Sequence, residues 1–119
     1  MTQLRIFIGD TNRNGRLGIE MLIDNEPGFQ VVGIAVQTDG LISQVKASHP
    51  DIVLVDWQMV KSSPVRLFKD IHVVESQPQI IVMDVRAETR QLAISCGADA
   101  YFCKDKPGDQ LVPLLRQFK

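Results

Sequence analysis

The chain reads as an α/β domain built on a doubly wound, five-stranded parallel sheet. Two observations predict it. Short apolar runs recur along the 119 residues, and runs this apolar suit strands covered on both faces. Each run is followed by apolar residues at helical spacing, so strand and helix alternate five times.

The first strand is expected from Leu4 to Ile8, and the helix after it carries Leu17, Met21 and Leu22 before Pro27-Gly28. The second strand runs from Phe29 to about Val36, with Gly33 marking a bulge. Leu41, Ile42 and Val45 form the inner side of a second helix that stops before Pro50. The third strand is Ile52 to Val55. Leu67, Phe68, Ile71 and Val74 then give an amphipathic stripe. The fourth strand is Ile80 to Met83, followed by a short helix with Leu92, Ala93 and Cys96 that ends at Gly97. The fifth strand is Ala100 to Cys103. The last helix presents Leu111, Val112, Leu115 and Phe118, and Pro113 must fall in its first turn, with Asp109 as N-cap. The apolar helix stripes are read as core.

At this length the whole chain, 1–119, is expected to be one domain. It is 45% hydrophobic and 23% charged, with a net charge of −1. That balance gives no basic footprint for nucleic acid and no attraction to an anionic membrane. No apolar run approaches the ~20 residues of a membrane span, and the N-terminus runs straight into a strand without a signal-peptide pattern. Cys96 and Cys103 form no CxxC and read as buried free thiols of a cytoplasmic protein. His49 and His72 stand apart, without metal-ligand spacing.

Three of the apolar runs end on charge: Asp10, Asp56 and Lys104. The C-terminal ends of parallel strands line the crevice where ligands bind in open α/β sheets. Two carboxylates and one ammonium on one sheet edge suit a divalent metal and a phosphoryl group. A fourth run ends on Asp84, an additional carboxylate.

The stretch 25–33 (NEPGFQVVG), the stretch 50–56 (PDIVLVD) followed by Met59, and the stretch 97–105 (GADAYFCKD) together carry a family signature. The chain resembles, over nearly its whole length, the receiver domain of two-component response regulators. The subtype it is most similar to precedes LuxR-type DNA-binding domains. The resemblance implies a flavodoxin-like sheet with strand order 2-1-3-4-5. It implies that Asp56 accepts a phosphoryl group from a histidine kinase or phosphotransfer protein. Asp10, Asp56 and the backbone carbonyl of Gln58 would hold Mg²⁺, and Lys104 would pair with the phosphoryl oxygens. Tyr101 would be the aromatic switch residue. Homodimerisation is implied in the same way, and independent enzymatic turnover is not expected. Any nucleic-acid binding would belong to an output domain outside this chain.

Some positions depart from the family pattern. Thr11 stands where the family has a second metal-binding acid, so Mg²⁺ should bind weakly. Asp84 stands where the family has a switch hydroxyl, and an ionised carboxylate cannot donate a hydrogen bond. At about 5 Å and an effective dielectric near 20, its repulsion of one further negative charge is roughly 3 kcal/mol. The loop from Asp84 to Gly97 is shorter than is usual, Val60 replaces a proline, and Pro64 replaces a glycine. Arg86, two positions after Asp84, could screen its charge.

Two functional readings follow: a phosphorylated receiver with an atypical switch, and a phosphorylation-independent pseudo-receiver that acts as a protein-interaction module. The second predicts that an Asp84–Lys104 ion pair fills the place of the phosphoryl–lysine contact. A flavodoxin-like cofactor protein is disfavoured, because Asp10 would repel a bound phosphate.

Overall fold

The computed structural model describes residues 3–105 and 108–118. Its order is β1 (Leu4–Gly9), α1 (Arg13–Asp24), β2 (Phe29–Ala35), α2 (Leu41–Ser48), β3 (Ile52–Asp56), α3 (Trp57–Val60), α4 (Pro64–His72), β4 (Gln79–Asp84), α5 (Thr89–Ser95), β5 (Ala100–Cys103), a 3₁₀ turn (Gly108–Gln110) and α6 (Leu111–Arg116). The strands form one sheet in the order β2-β1-β3-β4-β5, and every neighbouring pair is parallel.

Side chains alternate faces along each strand, so each strand feeds two cores. Leu4, Ile6, Ile8, Ile52, Leu54, Ile81, Met83 and Phe102 point to the side covered by α1 and α6, where they meet Ile23, Leu111 and Leu115. Phe7, Val53, Val55, Ile80, Val82 and Tyr101 point to the other side, where they meet Leu41, Val45, Phe68, Ile71 and Ala93. This two-sided burial is why the strands read as unbroken apolar runs.

The bulge expected at Gly33 is present. Ile6 pairs with Val31 and Phe7 with Gly33, leaving Val32 as the extra residue. A Cβ on residue 33 would lie 2.7 Å from the Phe7 ring, so glycine is required by packing. Gly97 closes α5 with φ of +117°, a conformation that a side chain would strain.

Several helix readings need correction. Leu17 and Met21 are 42% and 65% exposed. The inner side of α1 is instead Ile23, with Ile19 and Leu22 packed beside it. Residues 17 and 21 lie two positions from 19 and 23, about 200° around the helix. Leu92 is likewise exposed, and α5 buries Thr89 and Ala93 instead. The N-cap position of the last helix is Gln110 rather than Asp109, whose backbone lies in the 3₁₀ turn that precedes α6. Pro113 does fall in the first turn of α6. Helix α3 was not foreseen. It is a single turn whose N-cap is Asp56, and its Trp57, Met59 and Val60 are all buried.

Replacing Gly33 by alanine is expected to cost about 1–3 kcal/mol, because Phe7 is buried and has little room to yield. Urea denaturation followed by the fluorescence of the single tryptophan, Trp57, measures it.

Candidate functional site

Asp10, Thr11, Asp56, Gln58, Asp84 and Lys104 line one cleft of roughly 450 Å³ at the C-terminal edge of the sheet. The topology brings them together: β1, β3 and β4 are neighbours, and β5 follows β4. Asp10, Asp56 and Asp84 are all buried, at 0%, 7% and 2% exposure.

Each carboxylate is fixed by its own segment. Asp10 Oδ1 accepts the Asn12 N–H at 2.9 Å. Asn12 in turn caps α1 by accepting the Gly15 N–H, also at 2.9 Å. The Asp10 carbonyl accepts from Arg16 at 3.1 Å. Asp56 Oδ1 accepts the Gln58 N–H at 2.8 Å, so the cap of α3 also orients this carboxylate. Lys104 Nζ then bridges the pair, donating to Asp10 Oδ2 at 2.8 Å and to Asp56 Oδ2. Burial pulls the Lys104 ammonium down. The bonds to Asp10 and Asp56 outweigh that, and its pKa lies above the ordinary value. Gly15 leaves the space this cluster needs, since a Cβ there would lie 3.3 Å from Asp10 Oδ2.

The expected Asp84–Lys104 ion pair does not form. Lys104 Nζ pairs with Asp10 and Asp56, while Asp84 Oδ2 accepts the Thr89 hydroxyl at 2.7 Å. The reason is strand parity. Asp10, Asp56 and Lys104 continue the alternation of Ile8, Leu54 and Phe102, which face α1 and α6. Asp84 continues that of Val82, which faces α5. Arg86 does approach Asp84, with Nε 3.9 Å from Oδ2, although its side chain is 62% exposed.

Tyr101 lies outside the cleft, behind the loop 85–88, and its hydroxyl donates to the Arg86 carbonyl. Burial and then the charge of Asp84 push its phenol up to about 12. Thr89 is the residue that sequence reasoning missed; its signal was a hydroxyl at the start of the short helix after Asp84. The two thiols are half-buried rather than buried, and Cys103 donates to Asp105 at 2.7 Å. His72 meets Asp99 at 2.7 Å, beside the Ile80 N–H at the start of β4 and so at the opposite end of the sheet.

Among the described residues no three His, Cys, Asp or Glu side chains gather as a metal site. The oxygen donors of the cleft are the Asp10, Asp56 and Asp84 carboxylates and the neutral oxygens of Thr11 and Gln58, with the Lys104 ammonium on two of the carboxylates; a hard cation keeping several waters suits such oxygen donors. Thr11 is exposed at the rim of the cleft and brings no charge.

Residues 6–116 match the response regulator receiver domain. The chain belongs to that family. Receiver domains are the phosphoacceptor modules of two-component response regulators, and phosphorylation-based signalling is their standard role. The chain is 27% identical over 114 residues to the nitrate/nitrite response regulator NarL of Escherichia coli K12, covering 94% of this chain and 53% of that protein. It is 22% identical over 116 residues to the transcriptional regulatory protein DegU of Brevibacillus brevis, covering 96% and 49%. It thus spans about half the length of these curated relatives. Solved structures share the fold. A LuxR-family response regulator from Aurantimonas superposes with a TM-score of 0.83 at 23% identity, covering 98% of this chain and 84% of that one. The isolated receiver domain of RcsB from Salmonella enterica gives 0.82 at 17% identity, covering 97% and 87%. No helix among the described residues is long and apolar enough to cross a membrane.

Tyr101 is the only tyrosine, so phenolate absorbance reports on it alone. The native midpoint is expected near 12, against 10.0 when unfolded. The folded state therefore holds this proton more tightly. That stabilisation is whole below pH 10 and is lost as pH rises toward 12. Lys104→Met is expected to lose about 3 kcal/mol in urea denaturation, because it leaves two buried carboxylates without their counter-charge.

Proposed function

We propose that this receiver accepts a phosphoryl group on Asp56 from a histidine kinase or phosphotransfer protein and passes the signal on through an atypical switch. The supporting observation is the juxtaposition of Asp56 with the Lys104 ammonium and Asp10 in one open cleft. An Asp56 oxygen attacks the phosphorus of a phosphorylated imidazole. The P–N bond breaks, and the departing nitrogen keeps the electron pair. The Gln58 N–H orients the nucleophile. The pKa of Lys104 keeps it cationic at neutral pH, so it can move from the carboxylates to the incoming phosphoryl oxygens. Asp10, Asp56 and the Gln58 backbone carbonyl are the groups that would hold Mg²⁺, weakly because residue 11 is a threonine. When bound, the ion supplies charge neutralisation for the phosphoryl group. The reaction is group transfer to the chain itself, without independent turnover. A cytoplasmic location and a homodimer accord with this role, and DNA binding would fall to an output domain beyond this chain.

One observation favours the second reading, a phosphorylation-independent interaction module. Lys104 already satisfies both carboxylates within the chain. Acetyl phosphate with Mg²⁺ separates the two. The phosphoreceiver gains one phosphoryl mass in the intact protein, and Asp56→Asn abolishes the gain. A chain that stays unmodified while a kinase-independent partner remains bound would establish the module instead.

Restoring the acid with Thr11→Asp is expected to tighten Mg²⁺ binding roughly tenfold. Titration of Trp57 fluorescence reads it, since Trp57 follows Asp56 directly.

A further inference from the structure

β2 is an outer strand of the sheet, and its far side pairs with no strand among the described residues. Such an edge is a ready template for a further strand. At seven residues β2 is the longest of the five strands, and its sequence, FQVVGIA, holds no charge and no proline to blunt it. Its one irregularity is the bulge at Val32, and the stretches on either side keep their register with β1. On one face, a hollow of roughly 390 Å³ between β2 and α2 is lined by Val32, Ile34, Gln44, Ala47 and Ser48, again without charge. On the other face, α1 packs on β1 and β2. Asn14, Gly18 and Leu22 of α1 turn toward Phe102 and Gly108, the β5 side. Arg16, Glu20 and Asp24 stand two positions on, about 200° around the helix, and so turn toward the open edge of β2. Arg13, seven positions before Glu20, joins that stripe. Its charges run the wrong way for an isolated helix. The cations stand in the first turn and the acids in the second half, against the helix dipole, with no acid in the first turn and no base in the last. Nor do they pair within the chain. Arg16 donates to the Asp10 carbonyl, and among the described residues Arg13, Glu20 and Asp24 make no ion pair.

We propose that β2 and α1 form the contact of a symmetric homodimer, in which the β2 edges of two copies pair antiparallel and the two α1 helices lie antiparallel beside them. A two-fold axis near Val32 makes this surface complementary to itself. It sets Arg13 and Arg16 of each copy against Asp24 and Glu20 of the other. Charges that oppose the dipole of their own helix are thereby answered by the neighbouring helix. Leu17, 42% exposed at the centre of the stripe, is covered on assembly. The strand itself carries no charge, so two identical edges approach without repulsion. The contact lies at the opposite edge of the sheet from β5 and Tyr101. It names the surface of the homodimer and does not depend on Asp56 being the acceptor.

Sedimentation velocity over a concentration series of the unphosphorylated chain tests it, on the wild type, Arg13→Glu, Asp24→Arg and the double variant that carries both. Arg13 and Asp24 are exposed, so neither substitution disturbs the core. The wild type is expected to dimerise as its concentration rises. Each contact occurs twice about the two-fold axis, so either single variant is expected to weaken the dimer roughly tenfold. The double variant restores opposite charges with their places exchanged and is expected to regain the wild-type affinity. Amide hydrogen exchange at high and low protein concentration reads the strand. Residues 29–35 are expected to exchange more slowly in the dimer, while residues 100–103 stay level. A wild type that remains monomeric to its solubility limit overturns the interface. So does a dimer that both single variants leave intact, a double variant no tighter than the single ones, or slowed exchange that falls on 100–103 instead of 29–35. None of these results touches the acceptor reading, which the mass gained from acetyl phosphate tests separately.

Discussion

Lys104 Nζ sits between two buried carboxylates from different strands, and the rest of the site is arranged around that contact. Asp10 directly follows β1 and Asp56 ends β3, and these strands are hydrogen-bonded neighbours. Burying both without a counter-charge would be costly, since like charges in a poorly screened cleft repel and neither is well solvated. The ammonium answers both at once, and it arrives from β5, far along the sequence. The cluster therefore exists only when the sheet has closed in the order observed. Gly15 and Asn12 serve the same contact from α1, one by leaving room and the other by fixing the first turn. Asp56 joins two tasks: it caps α3 and presents the carboxylate that a phosphoryl donor would meet.

Asp84 shows how far a one-residue difference in strand parity reaches. It ends a strand beside Asp56, and charge alone would join it to Lys104. The alternation of side chains sends it to the opposite face, where Thr89 and Arg86 receive it. The same cleft thus contains two electrostatic systems. One is the Asp10–Asp56 pair bridged by Lys104. The other is a carboxylate bonded to the first turn of α5.

Much of the fold was legible because strands covered on both sides leave a plain trace: apolar runs without alternation, each closed by a charged residue. The bulge at Gly33, the stop at Gly97 and the position of Pro113 were legible for local reasons of backbone geometry. The rotation of α1 was not. Leu17 and Met21 are as apolar as Ile19 and Ile23, and only the direction in which the helix packs decides which pair is covered. Helix α3 was hidden because a single turn leaves no periodicity to count; its one local sign was Asp56 itself as a cap.

The sequence alone determined the α/β class, the five strands, the family, and the presence of Asp10, Asp56 and Lys104 at strand ends. Those features depend on local chemistry and on order along the chain. Tertiary structure alone decided which charges meet. The Lys104 bridge, the separation of Asp84 from it and the bond to Thr89 depend on which face of the sheet each side chain takes and on which strands lie side by side. No pattern of neighbouring residues encodes that, because the partners lie 94 and 48 positions apart in the bridge.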